Sequence, residues 1–432
     1  MLRDFCTIVG TAVTSDTDTP LRLHWFRNVF TEAVGDLGSC SSDDMNSPYE
    51  TEAPECSILT MEPTVSPVPT TAPTDIHDLT KNRLRCVDPD SVDPDMDYFP
   101  EKAYSDDSGQ WEITYHGYYK VLTNKDSDVK YLLHQCGTEP PEDAQDDHHL
   151  VLSVPLQDGI VVTQTTQIPH LELLGLRSEI KAFVGNPKFI SSPCLDSLID
   201  DEDVDVIYDP DDPWNTDRSV ELLGEWLDDH PGAVVLESPW GDKNGRNALV
   251  VSESKEGSNE AIFEWHEYYG ALFNLEGMAA ETVEETRSRY ECYTNNAAVL
   301  AADLPDDKKP TVLWAYWSNY HNAWDVADCP GNYYCEYAER CSADILEHPD
   351  GVGSVKDEDY GTVYMTDEEF LEHGKDADHW IVPSPDWNTL YAEKSNILDG
   401  FKSVQNERVF DNQGKGPNAW FEQRLAEYGT FY

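Results

Sequence analysis

From Gly159 to the end of the chain, short apolar runs of strand length alternate with stretches whose apolar residues recur at helical spacing. Gly159-Ile160-Val161-Val162-Thr163 is a buried-strand run, and Gln167-Ile168-Pro169 leads into the stripe Leu171, Leu174, Ile180, punctuated by Gly175. Val204 to Tyr208 leads to Ser219 to Leu227, and Ala233 to Leu236 leads to a loop ending in Ser238-Pro239-Trp240. Residues 258–293 interrupt the series as the longest helical pattern. Ser258 is placed to cap a first helix with the stripe Ile262, Trp265, Tyr269, Leu272, and Asn274 to cap a second. In that second helix acidic residues come early and Arg287 and Arg289 late, as the helix dipole favours, with Glu285 and Arg289 at i,i+4. A new series follows the Pro305/Pro310 break: a strand at Val312 to Tyr316, a helix at Tyr333 to Leu346, an extended Val363-Tyr364, and a helix at Asp367 to His373. A strand at His379 to Val382, a turn and strand at Ser403 to Phe410, and a helix from Ala419 to Tyr428 complete it. Alternation of this kind builds a largely parallel sheet covered by helices. The expected fold class is α/β: two Rossmann-like lobes bridged by a long interlobe helix, preceded by a disordered N-terminal segment.

Upstream, Trp111 to Tyr115, Tyr118 to Leu122 and Tyr131 to Gln135 alternate as antiparallel hairpin strands, with a turn across Asn124 to Asp128. Residues 1–85 are rich in Ser, Thr, Asp and Pro, and Pro63 to Thr74 is a Pro/Thr stretch that offers nothing to bury, either an O-glycan carrier or a plain linker. The expected organisation is an acidic low-complexity leader over 1–85, an N-terminal α/β lobe with leading hairpins over 86–257, the interlobe helical segment over 258–293, and a C-terminal α/β lobe over 294–432.

The chain carries 84 Asp and Glu against 29 Lys and Arg, a formal charge of −55. A nucleic-acid binder needs a basic face, and an anionic membrane surface would repel such a chain. Aromatic residues at 11% exclude a purely disordered acidic tail and leave salt tolerance, an extracellular setting or cation handling. Ten cysteines without a CxxC pair point to disulfides in an oxidising compartment rather than a zinc ribbon. Cys335 and Cys341 fall on differing faces of the predicted helix, so they are not expected to pair with each other. No apolar run reaches the roughly 18 residues of a membrane span. The patch Ile8 to Val13 is a poor signal peptide, so either the start is truncated, the favoured alternative, or the cysteines are intracellular.

Three segments together resemble a known family. Ile160-Val161-Val162 with Thr165-Thr166-Gln167-Ile168-Pro169 and Leu171-Glu172-Leu173-Leu174-Gly175 is similar to the first strand, ligand loop and helix of the helical-backbone substrate-binding proteins of ABC transporters, which import siderophore-bound iron, haem and cobalamin. Asn215-Thr216-Asp217, Val234 to Trp240, Glu264-Trp265 through Ala279, and Lys402 to Phe410 continue the resemblance, which spans about 111–428 in order. The hairpins, cysteines and Pro/Thr stretch look like a eukaryotic offshoot. No lipobox-like cysteine stands at the start, and Asp217 stands where the family often has Glu. The resemblance implies a periplasmic-binding-protein-like fold, a secreted or cell-surface monomer, and a transporter or receptor as partner.

In open α/β sheets ligands bind beyond the carboxyl ends of the strands. The candidate ligand-binding residues on such loops are Thr165, Gln167, Trp214 and Trp240 from the first lobe, with Tyr316, Trp317, Tyr320, His321, Trp324 and Trp387 from the second. Core filling is the competing explanation for any one ring, but Trp314 to Trp324 holds too many rings for a short core strand and reads as a loop. An aromatic cleft suits a bulky chelate or macrocycle, of iron–siderophore, cobalamin or haem type. Because Arg and Lys do not cluster in these loops, a neutral or cationic ligand is expected. His148-His149, Tyr333-Tyr334 and the acidic runs read as solvated or structural, with no metal site and no cofactor expected. G-x-S-x-G, H-E-x-x-H, P-loop and G-x-G-x-x-G signatures are absent, so no catalysis is expected. The alternatives are an adhesion or structural module that keeps the fold without ligand capture, and a metal-dependent hydrolase.

Overall fold

In the computed structural model the described residues are 1–12, 23–41, 44, 45, 47, 48, 56, 80–93, 95–142, 144–212, 216–305, 308–327, 329, 333–346, 355–357, 362–384 and 387–423. The Pro/Thr stretch lies outside them. The described parts of the N-terminal leader are folded, contrary to the expectation from composition. Helix α1 (Leu2–Val9) buries Leu2, Phe5, Ile8 and Val9, whose spacing gives it an apolar stripe, and Gly10 ends it in the left-handed conformation at φ 82°. Strand β1 (Arg27–Asn28) pairs antiparallel with the last strand of the chain, Arg27 opposite Asp411.

The N-terminal lobe opens with the expected hairpins, β2 (Trp111–His116), β3 (Tyr119–Asn124) and β4 (Val129–Gln135). After the single turn α2 (Ala144–Asp147), strand β5 (Leu150–Val154) joins β4 in parallel, giving a four-stranded sheet. Next come β6 (Ile160–Val162), α3 (Ile168–Leu173), β7 (Ile180–Val184), α4 (Pro193–Asp200), β8 (Asp205–Ile207), α5 (Thr216–Asp229), β9 (Val234–Glu237) and β10 (Ala248–Val250). Their strands form one parallel sheet in the order β10-β9-β6-β7-β8. Every residue of β6 and β10 is buried, as expected of strands covered on both faces.

The interlobe segment is two helices, α6 (Asn259–Leu272) and α7 (Glu276–Ala301), the second 26 residues long. Ser258 accepts from the N–H of Ala261 as the predicted cap, and Arg289 lies 3.7 Å from Glu285. Asn274 does not cap α7. It takes φ 58° at the break, its Nδ2 donates to Arg83 O at 2.7 Å and its Oδ1 accepts from Lys120 Nζ at 2.9 Å, so its side chain joins the buried Lys120–Glu276 ion pair to the break.

The C-terminal lobe contains β11 (Thr311–Ser318), β12 (Ala323–Ala327), α8 (Tyr333–Arg340), β13 (Asp344–Ile345), β14 (Val355–Asp357), β15 (Thr362–Met365), α9 (Asp367–Gly374), β16 (His379–Val382), α10 (Trp387–Leu398), α11 (Lys402–Gln405), β17 (Val409–Asp411) and α12 (Ala419–Gln423). Its sheet runs β1-β17-β16-β11-β12-β15-β14, with β13 also on β11. The first half of β11 pairs in parallel with β13 and β16, and the second half pairs antiparallel with β12 from Ala315–Val326 to Ser318–Ala323. Trp314 to Trp324 is therefore a hairpin rather than a loop. The α/β class and the two lobes joined by a long helix are the architecture that the resemblance implied.

All ten cysteines are paired: Cys6–Cys341, Cys40–Cys194, Cys56–Cys292, Cys86–Cys136 and Cys329–Cys335. As expected, Cys335 and Cys341 bond to different partners.

Candidate interlobe crevice

The loops beyond the carboxyl ends of the parallel strands meet between the lobes. From the first lobe come Thr163 to Gln167 after β6 and the segment from Gly185 to Ser192 after β7. From the second come Asn412, Gln413 and Gly414 after β17. Helix α12 bridges them. Its Glu422 Oε2 accepts from Ser191 N at 2.7 Å, Asn418 Nδ2 donates to Lys188 O at 3.1 Å, and the helix packs against the turn at Thr165–Gln167.

The N-terminal segment enters the same place. Asp4 accepts from the backbone N–H groups of His24 and Trp25 at 2.7 and 2.6 Å, which turns the chain so that Trp25 and Phe26 face α12. Trp420 lies with its ring centroid 6.4 Å from Trp25 and 4.9 Å from Phe26, and it is fully buried. Arg27 then grips Asp411 through two hydrogen bonds of 2.9 and 2.6 Å, both side chains being out of solvent. Burial pushes the Asp411 carboxyl up, and the Arg27 guanidinium pulls it back. Gly414 N donates to Trp25 O at 3.0 Å, so β17's end and the N-terminal segment share a backbone contact.

Among the described residues, four buried polar atoms on these segments make no protein hydrogen bond: Trp25 Nε1, Trp420 Nε1, Asn412 Nδ2 and Gln413 Oε1. Three are N–H donors and one is a carbonyl acceptor. A buried polar atom without a partner costs about 1–3 kcal/mol, so such atoms are uncommon in native interiors.

The ten residues expected from sequence are divided. Thr165 is half-buried beside α12. Gln167 is nearby but fully engaged: Oε1 accepts from Thr163 N at 3.0 Å and Gln164 N at 3.3 Å, and Nε2 donates to Leu236 O at 3.1 Å. It shapes the loop after β6. Trp214 lies outside the described residues. Trp240 is exposed at the end of β9, with Lys255 Nζ 4.7 Å from its ring centroid.

In the second lobe, Trp324 and Trp387 are core residues, which corrects their assignment to a ligand wall. Trp324 faces inward from β12, stacks on Phe370 at 4.0 Å and donates to Asp367 at 2.7 Å. Trp387 opens α10 and packs edge-on to Trp380 at 5.4 Å. Tyr316 and Trp317 are half-buried on β11, and Lys394 Nζ sits 3.6 Å over the Trp317 ring while bonding Asp367 at 2.9 Å. Burial and the neighbouring Asp325 push the Tyr316 hydroxyl up. Tyr320 is 92% exposed at the hairpin tip, and His321 beside it meets Tyr364 OH through Nε2 at 3.0 Å.

The residues that do fill the crevice, Trp25, Phe26, Asn412, Gln413, Trp420 and Glu422, were missed. Asn412-Gln413-Gly414 carries a signal in the sequence, since it follows the carboxyl end of the last strand, where ligands of open α/β sheets bind. Trp25-Phe26 is an aromatic pair inside a segment whose Ser/Thr/Asp/Pro-rich composition resembles that of an unstructured leader. Among the described residues, no group of three or more His, Cys, Asp or Glu side chains could hold a metal ion.

The fold and this crevice define a bilobed α/β protein whose lobes face each other across the carboxyl ends of their strands. No family model matches the chain. An uncharacterized lipoprotein of Methanocaldococcus jannaschii is 25% identical over 327 residues, covering 71% of this chain and 73% of the relative. Similar solved structures include a periplasmic binding protein of Veillonella parvula (15% identity, 64% of this chain and 91% of that one, TM-score 0.42). They also include the periplasmic heme-binding protein of Vibrio cholerae (14%, 63% and 99%, TM-score 0.38) and a Staphylococcus aureus protein with bound ferrioxamine B (14%, 62% and 98%, TM-score 0.38).

Proposed function

We propose that the chain is a secreted or surface binding protein that captures a small ligand in the interlobe crevice, without catalysing its conversion. The observation that carries this reading is the set of four buried, unpartnered polar atoms on Trp25, Asn412, Gln413 and Trp420, the residues packed where the lobes meet. Three N–H donors, two of them on indole rings, suit a bulky ligand that presents acceptor oxygens, as hydroxamate or carboxylate groups on a metal chelate do. Ferric chelates, haem and cobalamin are the ligand classes of the family that the sequence resembles, and a membrane transporter or receptor is the partner it implies. Five disulfides fit an oxidising compartment. Among the described residues no helix is long and apolar enough to cross a membrane.

A second reading has a specific observation in its favour. Trp420, Trp25 and Phe26 fill part of the space between the strand ends, as in a module that keeps the fold without capture. Native mass spectrometry of protein purified from its source, followed by calorimetric titration with ferric hydroxamates, haem and cobalamin, separates the two. A co-purifying or titrating ligand that quenches tryptophan fluorescence supports capture. Absence of any bound species, together with flat titrations, selects the structural module.

A further inference from the structure

We infer that the N-terminal segment is a disulfide-latched strap that fixes the spacing of the two lobes across the crevice. The strap is held on the second lobe first. Cys6 bonds Cys341 just beyond α8, β1 extends the sheet on β17, and Gly35 N donates to Gln413 O at 2.9 Å. A Cβ at Gly35 would stand 1.7 Å from Gly414 O, so the backbones are in direct contact and only glycine fits. The strap is then held on the first lobe. Cys40 bonds Cys194 in α4, Arg177 Nη1 donates to Asp44 O and Met45 O at 2.9 and 3.0 Å, and Pro48 packs against Gly175.

Only four residues lie between Gly35, on the second lobe, and Cys40, on the first, five Cα-to-Cα steps in all. Fully extended, they reach roughly 17 Å. Both anchors lie at the crevice, since Gln413 follows β17 and Cys194 sits in the first turn of the helix that follows β7. The interlobe helices connect the lobes at one place, and the strap connects them at another through a covalent bond. A hinge that must work against a second short covalent connection has little freedom, so the lobes stay near one separation and entry to the crevice depends on the latch. The consequence for ligand entry rests on the capture reading above. The restraint itself does not.

The test measures interlobe distance in the whole protein, with fluorophores placed through noncanonical amino acids at the exposed positions Glu225 on α5 and Glu393 on α10. The disulfide-intact protein gives one narrow distance distribution. The Cys40→Ser/Cys194→Ser double variant broadens it about twofold and adds longer distances, as expected once a second connection is removed. Because that variant also loses a stabilising bond, a second one keeps the disulfide and inserts Gly-Ser-Gly-Ser after Ser39. It broadens the distribution in the same direction. The control Cys86→Ser/Cys136→Ser, whose bond lies within the first lobe, leaves it narrow. Distributions that stay narrow in both strap variants overturn the latch. Haem and ferrioxamine B added to each form report separately on capture: faster association to the strap variants supports the latch's control of entry, and equal rates overturn that control. A lack of binding by every form overturns capture and leaves the distance result to decide the latch.

Discussion

The carboxylate of Asp4 accepts the backbone N–H of Trp25 at 2.6 Å, tying the first helix to the turn that places an indole against Trp420. Asp4 is buried, and burial pushes its carboxyl up from the ordinary aspartate value. Asp4→Ala leaves the His24 and Trp25 amides without an acceptor and is expected to cost about 2 kcal/mol. Asp4→Asn keeps an acceptor oxygen and removes the buried charge, so it costs less than half as much. The raised pKa also sets a sign: this group's contribution is fully present below the unfolded value near 3.8 and is lost as pH rises through the folded value. Urea denaturation of both variants at pH 5 and pH 8 measures this. Equal losses for alanine and asparagine would remove the hydrogen-bond explanation.

Beneath the loop after β6, His170 and His266 face each other with Nδ1 atoms 3.4 Å apart. Both rings are fully buried among Phe263 and Tyr269, with His170 stacked on Tyr269 at 4.8 Å. Burial lowers His170 well below its usual value, the neighbouring His266 adding to the effect, and brings His266 to about 3. The unfolded chain therefore takes up protons below about pH 6.5 that the folded chain refuses, and stability falls as pH drops from there toward 3. His170→Phe keeps the stack on Tyr269 and removes one of the two sites. Its acid-unfolding midpoint, followed by circular dichroism, is expected about half a pH unit lower than that of the parent. An unchanged midpoint would mean that other groups govern acid unfolding.

The C-terminal aromatics separate core from surface. Trp324 is fully buried between Phe370 and Trp380, whereas Tyr320, four residues earlier, is 92% exposed. Trp324→Ala is expected to cost about 3–5 kcal/mol, and Tyr320→Ala no more than about 0.5 kcal/mol. If Trp324 were instead a ligand wall, its truncation would weaken binding and leave the denaturation midpoint nearly in place.

Much of the α/β order was legible because it rests on local pattern. The all-apolar run of β6, the Ser258 cap and the Glu285–Arg289 pair each declare themselves within a few residues. What stayed hidden depends on partners far away in sequence. Trp324 reads as a loop aromatic until β12 is seen folding back on β11 and packing on α9, which turns its ring inward. Composition concealed the strap, because β1 is only two residues long and acquires meaning from a pairing with β17 some 380 residues later. The stripe Leu2, Phe5, Ile8, Val9 has helical spacing, but it spans only two turns and is followed by an acidic, Ser/Thr-rich stretch with no apolar partner for it nearby in sequence.

The charge of −55 makes the folded state repel itself. Several acidic residues have cationic partners at the surface, such as Asp228 with Arg246 and Glu372 with Lys375, but 29 basic residues cannot answer 84 acidic ones. Unfolding lets like charges move apart, so repulsion favours the open chain most when screening is weak. The Debye length falls from about 10 Å at 0.1 M salt to about 3 Å at 1 M, and the repulsive penalty on folding falls with it. The thermal midpoint is therefore expected to rise by several degrees between 0.1 and 1 M KCl, with most of the gain at the low-salt end. Isosmolar sucrose, which acts by exclusion rather than screening, should not reproduce that curve. Calorimetry over this range decides the point, since a midpoint that ignores KCl would show that the acidic surface carries little net repulsion.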